Sequence, residues 1–198
     1  MRQKCLIGMI ALALVLGTSA AHAGYVEVAV NDETADLRGG FHIGKSPDMQ
    51  FHLGGRYLYH DFDEGDLEGA DDARIPAVLA GFVSRPSPKE DVAFTVGVQL
   101  YYGEAADQDV QGLGLGTAIG VNPGGWKGLY LGGRIYWAGS AFSFGDTEEI
   151  FEWGGQVGYA FNEMFRVFVE YSSLEVDTED FDDIEVVEDV TVGFNVNF

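Results

Sequence analysis

The feature that most constrains this chain is an apolar/other alternation with a period of two. From Val92 to Gly103 it reads VAFTVGVQLYYG, which puts Val92, Phe94, Val96, Val98, Leu100 and Tyr102 on one side of an extended strand. Ala93, Thr95, Gly97, Gln99 and Tyr101 fall on the other side. A repeat of two suits a strand and not a helix. The pattern recurs over Met49–Tyr59, Leu113–Val121, Leu129–Trp137, Phe151–Phe161, Phe165–Tyr171 and Val190–Phe198. Less regular copies at Tyr25–Val30, Leu37–Ile43 and Ile75–Val83 bring the expectation to ten strands, and merging the first pair would leave eight.

Alternation alone also fits a soluble sandwich with one wet face. Here the second face carries Gly, Ala, Gln, Tyr and isolated charges rather than the Lys, Glu and Thr of a water-facing strand. The first face is almost free of charge. Those two compositions predict a transmembrane, up-and-down, antiparallel β-barrel with lipid outside and a crowded lumen inside. Closure satisfies every backbone group and removes the sheet edges, which hydrocarbon requires.

The connections give a separate reason. KSPD (45–48), RPSPKED (85–91), NPGGWKG (122–128) and NE (162–163) are short and rich in turn formers. NDETAD (31–36), HDFDEGDLEGADD (60–72), EAADQD (104–109), the segment 139–149 and EVDTEDFDDIEVVED (175–189) are mostly acidic. The two kinds alternate strictly, as periplasmic turns and outer loops do in a bacterial outer-membrane barrel. Tyr57, Tyr59, Tyr101, Tyr102, Trp126, Trp137, Phe161 and Phe165 stand near strand ends, where an interfacial aromatic girdle is expected.

The N-terminal residues predict export. Arg2 and Lys4 precede an apolar run from Leu6 to Leu16, followed by Ala21-His22-Ala23, an A-x-A cleavage pattern. The run is about half of the ~20 residues a spanning helix needs. Residues 1–23 are therefore read as a cleaved signal peptide and residues 24–198 as one barrel domain. Cys5, the single cysteine, leaves with the peptide, so the exported chain forms no disulfide. The formal charge of −21 becomes −23 once Arg2 and Lys4 are removed, because 11 − 2 = 9 basic residues then face 32 acidic ones. Nucleic acid is excluded as a partner, since binding to phosphates runs on Lys and Arg. With 46% hydrophobic and 13% aromatic residues, the chain is not a disordered acidic tail.

The stretch GLGLGTAIGVNPGGWKGLYLGGRIYWAGSAFSF, then GGQVGYAFNEMFRVFVEYSSLEV and the closing VTVGFNVNF, resembles the YfaZ family of outer-membrane proteins over roughly residues 112–198. The resemblance implies a signal-bearing barrel of this size and carries no activity, ligand or catalytic residue with it.

Phase assigns the charged residues. Arg38, Arg56, Arg134, Arg166, Glu27, Glu152 and Glu170 are predicted to point into the lumen, where they either pair with one another or line a narrow, porin-like water path. A barrel of about eight strands is just filled by its side chains, so ten stands at the boundary between plugged and open. The inward Gly97, Gly114, Gly116, Gly132, Gly154, Gly158 and Gly193 either leave space or let the walls approach. Val190, Val192, Phe194, Val196 and Phe198 form the aromatic-ended last strand that barrel assembly machinery reads as an insertion signal. The expected partners are outer-membrane lipid and lipopolysaccharide, with periplasmic chaperones and that machinery during biogenesis.

Chemistry is weakly signalled. His42 and His52 are in lumen phase, and His60 adjoins Asp61, an imidazole and carboxylate of the kind that can activate water. No serine stands in a matching place for a Ser-His-acid hydrolase. Asp61, Asp63, Glu64 and Asp66, and likewise Asp177, Glu179, Asp180, Asp182 and Asp183, are hard oxygen ligands able to hold Ca²⁺ or Mg²⁺ weakly and to bridge lipopolysaccharide. Gly65 comes one position early for an EF-hand, and solvated, mutually repelling loops are the alternative. No resident cofactor is indicated. The sequence reads as a non-catalytic barrel of structural or narrow-channel role, with a surface interaction module as the alternative and an outer-membrane hydrolase third.

Overall fold

The computed structural model describes residues 24–44, 49–62, 72–84, 92–106, 108–123, 126–179 and 184–198. The signal-peptide residues lie outside them. Ten long strands form one closed antiparallel sheet: β1 (Gly24–Val30), β2 (Thr34–Ile43), β3 (Met49–Asp61), β4 (Asp72–Ser84), β5 (Val92–Ala105), β6 (Gln108–Val121), β7 (Leu129–Ala138), β9 (Thr147–Ala160), β10 (Phe165–Thr178) and β11 (Ile184–Asn197). Each pairs with the next in sequence, and β1 pairs with β11 to close the ring. At the seam the Gly24 and Phe198 backbones bond each other twice, with N–O distances of 2.8 and 2.9 Å.

A two-residue strand, β8 (Ser143–Phe144), sits inside the β7–β9 connection and pairs with Gln111 and Gly112 of β6. It is needed because β7 covers β6 only from Leu115 to Val121, and the exposed edge would otherwise lack partners. The β1–β2 turn is held by Asn31, whose Oδ1 accepts from the backbone N–H groups of Glu33 and Thr34.

The outward face is an apolar belt. Phe82, Phe94, Val96, Leu100, Leu115, Ile135, Val157, Val169, Val192 and Phe194 are all exposed on it. From Phe94 to Tyr102 is eight residues, about 27 Å along a strand and ~21 Å once tilted by ~40°, close to the height of a lipid-facing band. Tyr57, Tyr102, Trp137 and Trp153 rim one side of the belt, and Trp126, Phe161, Phe165 and Phe198 the other. This is the surface of a membrane-spanning barrel.

Tyr101 does not join that girdle. It shares the phase of Gln99, points inward and is buried, with 1% exposure.

Among the described residues, much of the sequence expected as acidic loop is strand. Asp36 lies within β2, Glu104 and Asp109 are cross-strand partners, and β10 runs to Thr178 while β11 starts at Ile184. These hairpins rise beyond the belt, and there the polarity of the two faces reverses. Along β10, Val167, Val169 and Tyr171 face outward, whereas Leu174 and Val176 face inward with Glu175 outside. A bulge opposite Leu174 and Glu175 skips Val186 and lets both Val186 and Val187 turn inward. One strand thus changes from apolar-out to apolar-in as it leaves the lipid, which breaks up the single alternation that a sequence scan follows.

Candidate functional site

The lumen has three levels. At the loop end Leu58, Ala73, Ile75, Ala77, Tyr101, Ala105, Val110, Ala138, Ile150, Leu174, Val176, Ile184, Val186 and Val187 form one apolar cluster, with Phe62 packed on it. Water does not reach it.

Beneath it lies a layer of ion pairs that crosses the axis. Arg38 on β2 bonds Glu27 at 2.9 Å, Asp36, and Glu170 of β10 at 2.6 Å. Arg56 on β3 bonds Asp36 at 2.8 Å and Glu152 of β9 at 2.7 Å. Arg134 on β7 bonds Glu152 and Glu170, each at 2.7 Å. Gln99 and Tyr101 of β5 donate to Glu152 at 3.1 and 2.8 Å. The network therefore joins strands on opposite walls, and every carboxylate in it is matched to a guanidinium, as burial demands.

Six of the seven lumen-facing charged residues expected from sequence, Glu27, Arg38, Arg56, Arg134, Glu152 and Glu170, meet in this layer. Arg166 stands apart from it. Asp36, Gln99 and Tyr101 belong to it as well. Their inward phase was the available signal, hidden for Asp36 by its acidic neighbours.

The third level, at the end carrying the chain termini, is hollow. A chamber of about 1060 Å³ opens there, floored by Arg38, Arg56, Gln99, Arg134 and Glu152. One wall is Tyr25, His42 and His52. The Tyr25 and His52 rings stack at 5.7 Å, and the two imidazoles lie 5.2 Å apart. His52 leans over Gly40, where an added Cβ would come within 2.6 Å of its Nε2. On the facing side the Arg166 guanidinium carbon lies 3.6 Å from the centre of the Tyr130 ring, beside Gln156. The β4–β6 wall is uncharged and mostly apolar: Leu79, Val83, Ala93, Thr95 and Ala118.

The inward glycines do both things expected of them. Gly81 and Gly97 face each other with main chains so close that a Cβ at Gly97 would lie 2.5 Å from the Ala80 carbonyl oxygen. Gly116 and Gly193 instead make seats for the Tyr136 and Phe168 rings.

At the rim His60 and Asp61 occupy opposite faces, as strand neighbours must. His60 is turned inward, and its Nδ1 lies 2.8 Å from Thr34 Oγ1 and 3.5 Å from Asp189. Thr34 Oγ1 and Asp189 thus meet the same ring nitrogen. Asp61 is exposed and accepts from the Tyr59 hydroxyl at 2.7 Å. Asp63, Glu64 and Asp66 lie outside the described residues, as do Asp180, Asp182 and Asp183. No group of three or more His, Cys, Asp or Glu able to hold a metal occurs among the described residues. Val190, Val192, Phe194 and Phe198 are exposed on the outer face of β11 and at the seam, with Val196 half-buried beside them.

No family model and no curated protein matches the chain. Among solved structures it is similar to the outer membrane protease OmpT from Escherichia coli, at 10% identity over 89% of this chain and 93% of that one, with a TM-score of 0.49. It is also similar to the outer membrane channel DcaP of Acinetobacter baumannii, at 9% identity over 89% and 72%, TM-score 0.41. A third is CarO of Acinetobacter baumannii, at 12% identity over 89% and 96%, TM-score 0.36.

Proposed function

We propose that this chain is a small outer-membrane β-barrel of a Gram-negative bacterium whose role is structural, neither conductive nor catalytic. Its chain ends and short turns face the periplasm, and its acidic hairpins face outward. The observation that carries the reading is the double closure of the lumen. Arg56–Glu152 joins opposite walls, Arg38–Glu170 links β2 to β10 beside it, and the apolar cluster above them is buried. An ion on its way through would have to break buried charge pairs and then enter an apolar layer, and each step is costly.

Export through the signal peptide, delivery by periplasmic chaperones and insertion through the outward-facing Val190, Val192, Phe194, Val196 and Phe198 strand belong to the same proposal, as does kinship with the YfaZ family. Lipopolysaccharide is the neighbour of the acidic rim. The shared use of His60 Nδ1 by Thr34 and Asp189 supports a structural latch there rather than a hydrolytic centre.

Planar-bilayer recording of the purified, folded barrel tests the reading. Silence at high protein is expected. Steady, discrete conductance steps would overturn it in favour of a narrow porin-like channel.

A further inference from the structure

We propose that the terminus-end chamber is a binding site for a small planar organic anion, an aromatic ring bearing a carboxylate or phosphate group, with Arg166 as its charge contact. The inference rests on the closed lumen above, because an open pore would pass such an ion instead of holding it.

The chamber is large enough. Ligand pockets run from ~300 to ~1,000 Å³, and this one measures about 1060 Å³. Its charges are not equivalent. Arg38, Arg56 and Arg134 in the floor are committed to carboxylates, and Glu152 is committed to two arginines, Gln99 and Tyr101. Arg166 is different: among the described residues no carboxylate forms an ion pair with it. Its Nε is buried with no hydrogen-bond partner in the protein, as are Gln156 Oε1 and His52 Nε2 in the chamber's lining; Arg38 Nε and Arg134 Nη2 are unbonded too, but those guanidiniums are already ion-paired. Buried polar atoms are nearly always bonded, so a cluster of unbonded ones around a hollow marks where a ligand's polar group fits.

The Tyr130 ring lies against the guanidinium, whose planar N–H groups suit paired bonds to an oxyanion. Among the described lining residues outside the floor, Lys127 and Glu163 are one charge of each sign and offset each other, which leaves Arg166 as the uncompensated interior charge. The other walls select the rest of the ligand. Tyr25 and His52 line one side with aromatic rings, and Leu79, Val83, Ala93 and Ala118 give an uncharged surface. A hydrated inorganic anion would use neither, whereas an aromatic ring uses both.

The test is equilibrium dialysis of the folded barrel in zwitterionic detergent at low salt, with 4-nitrophenyl phosphate and 4-nitrobenzoate as probes. Neutral 4-nitrobenzyl alcohol, cationic 4-nitrobenzyltrimethylammonium and inorganic phosphate serve as competitors. Saturable uptake of at least one anionic probe is expected, weakened about tenfold or more by Arg166→Gln and held within a few-fold by Arg166→Lys. Tyr130→Leu should weaken it by a smaller factor. Which probe binds more tightly separates a carboxylate ligand from a phosphate one.

Equal binding by wild type and Arg166→Gln would overturn the proposal. So would competition by the neutral or cationic ring as strong as by the anions, or no saturable binding to a barrel whose heat-dependent gel shift shows it folded. Bilayer recording on the same preparation separates the two readings. No binding without conductance removes only the ligand, whereas conductance removes the closed barrel.

Discussion

The loop-end and terminus-end halves of this lumen share ten strands and one circumference, yet one is packed and the other hollow. Inward positions toward the loops are Leu58, Ile75, Tyr101, Val110, Ile150, Leu174 and Val176, all buried. Inward positions toward the termini include Gly81, Gly97, Gly116, Gly120, Ala93 and Ala118 along β4–β6. The number of strands sets how wide the barrel is, and inward residue size then sets whether that width is filled. The ion-pair layer is the boundary. It closes both the apolar half and the inner end of the chamber.

Substitutions that treat the halves differently test this contrast. The largest effect is expected at the boundary: Glu152→Ala strips partners from buried Arg56 and Arg134 and should cost about 3–5 kcal/mol, read from the urea midpoint of the barrel in vesicles. Next, Ile150→Ala leaves a cavity in the packed half and should cost about 3 kcal/mol while probe uptake by the chamber stays unchanged. A loss under about 1 kcal/mol would mean that the loop end is not tightly packed.

A matched pair sharpens the comparison. Ala105→Leu overfills the cluster and should cost about 1–3 kcal/mol, whereas Ala118→Leu projects into open space and should stay within about 0.5 kcal/mol while reducing uptake. Equal costs would erase the distinction between the halves. The smallest effect has the opposite sign. Ala106 at the β5–β6 turn holds a φ of 51°, which burdens a side chain but not glycine, so Ala106→Gly should raise stability by about 0.5–1 kcal/mol.

How far the sequence revealed these halves depends on which face carried the signal. All ten long strands, the alternation of turns and hairpins, and the inward phase of Arg38, Arg56, Arg134, Glu152 and Glu170 can be read from a period of two, because lipid tolerates only one kind of outward residue. Beyond the belt that constraint ends. Outward Glu175, Glu185 and Glu188 then resemble loop charges, and Val176, Ile184 and Val186, part of the packed half, disappear among them. Tyr101 illustrates the same ambiguity, since an aromatic near a strand end fits a girdle until its parity with Gln99 is followed. The chamber was the least legible part. It depends on which rings lean across which glycines, as His52 does over Gly40, and no one-dimensional pattern records a lean.

The mutual bonds of Gly24 and Phe198 carry one more consequence. Residues at the two extremes of the barrel sequence are ladder neighbours, so the seam is its longest-range contact and the slowest kind of closure to achieve. A short linker from Phe198 back to Gly24, with new ends cut in one of the acidic hairpins, would turn that seam into an ordinary hairpin. Such a circular permutant should still reach the native barrel, but its refolding would no longer wait for the two original ends to find each other.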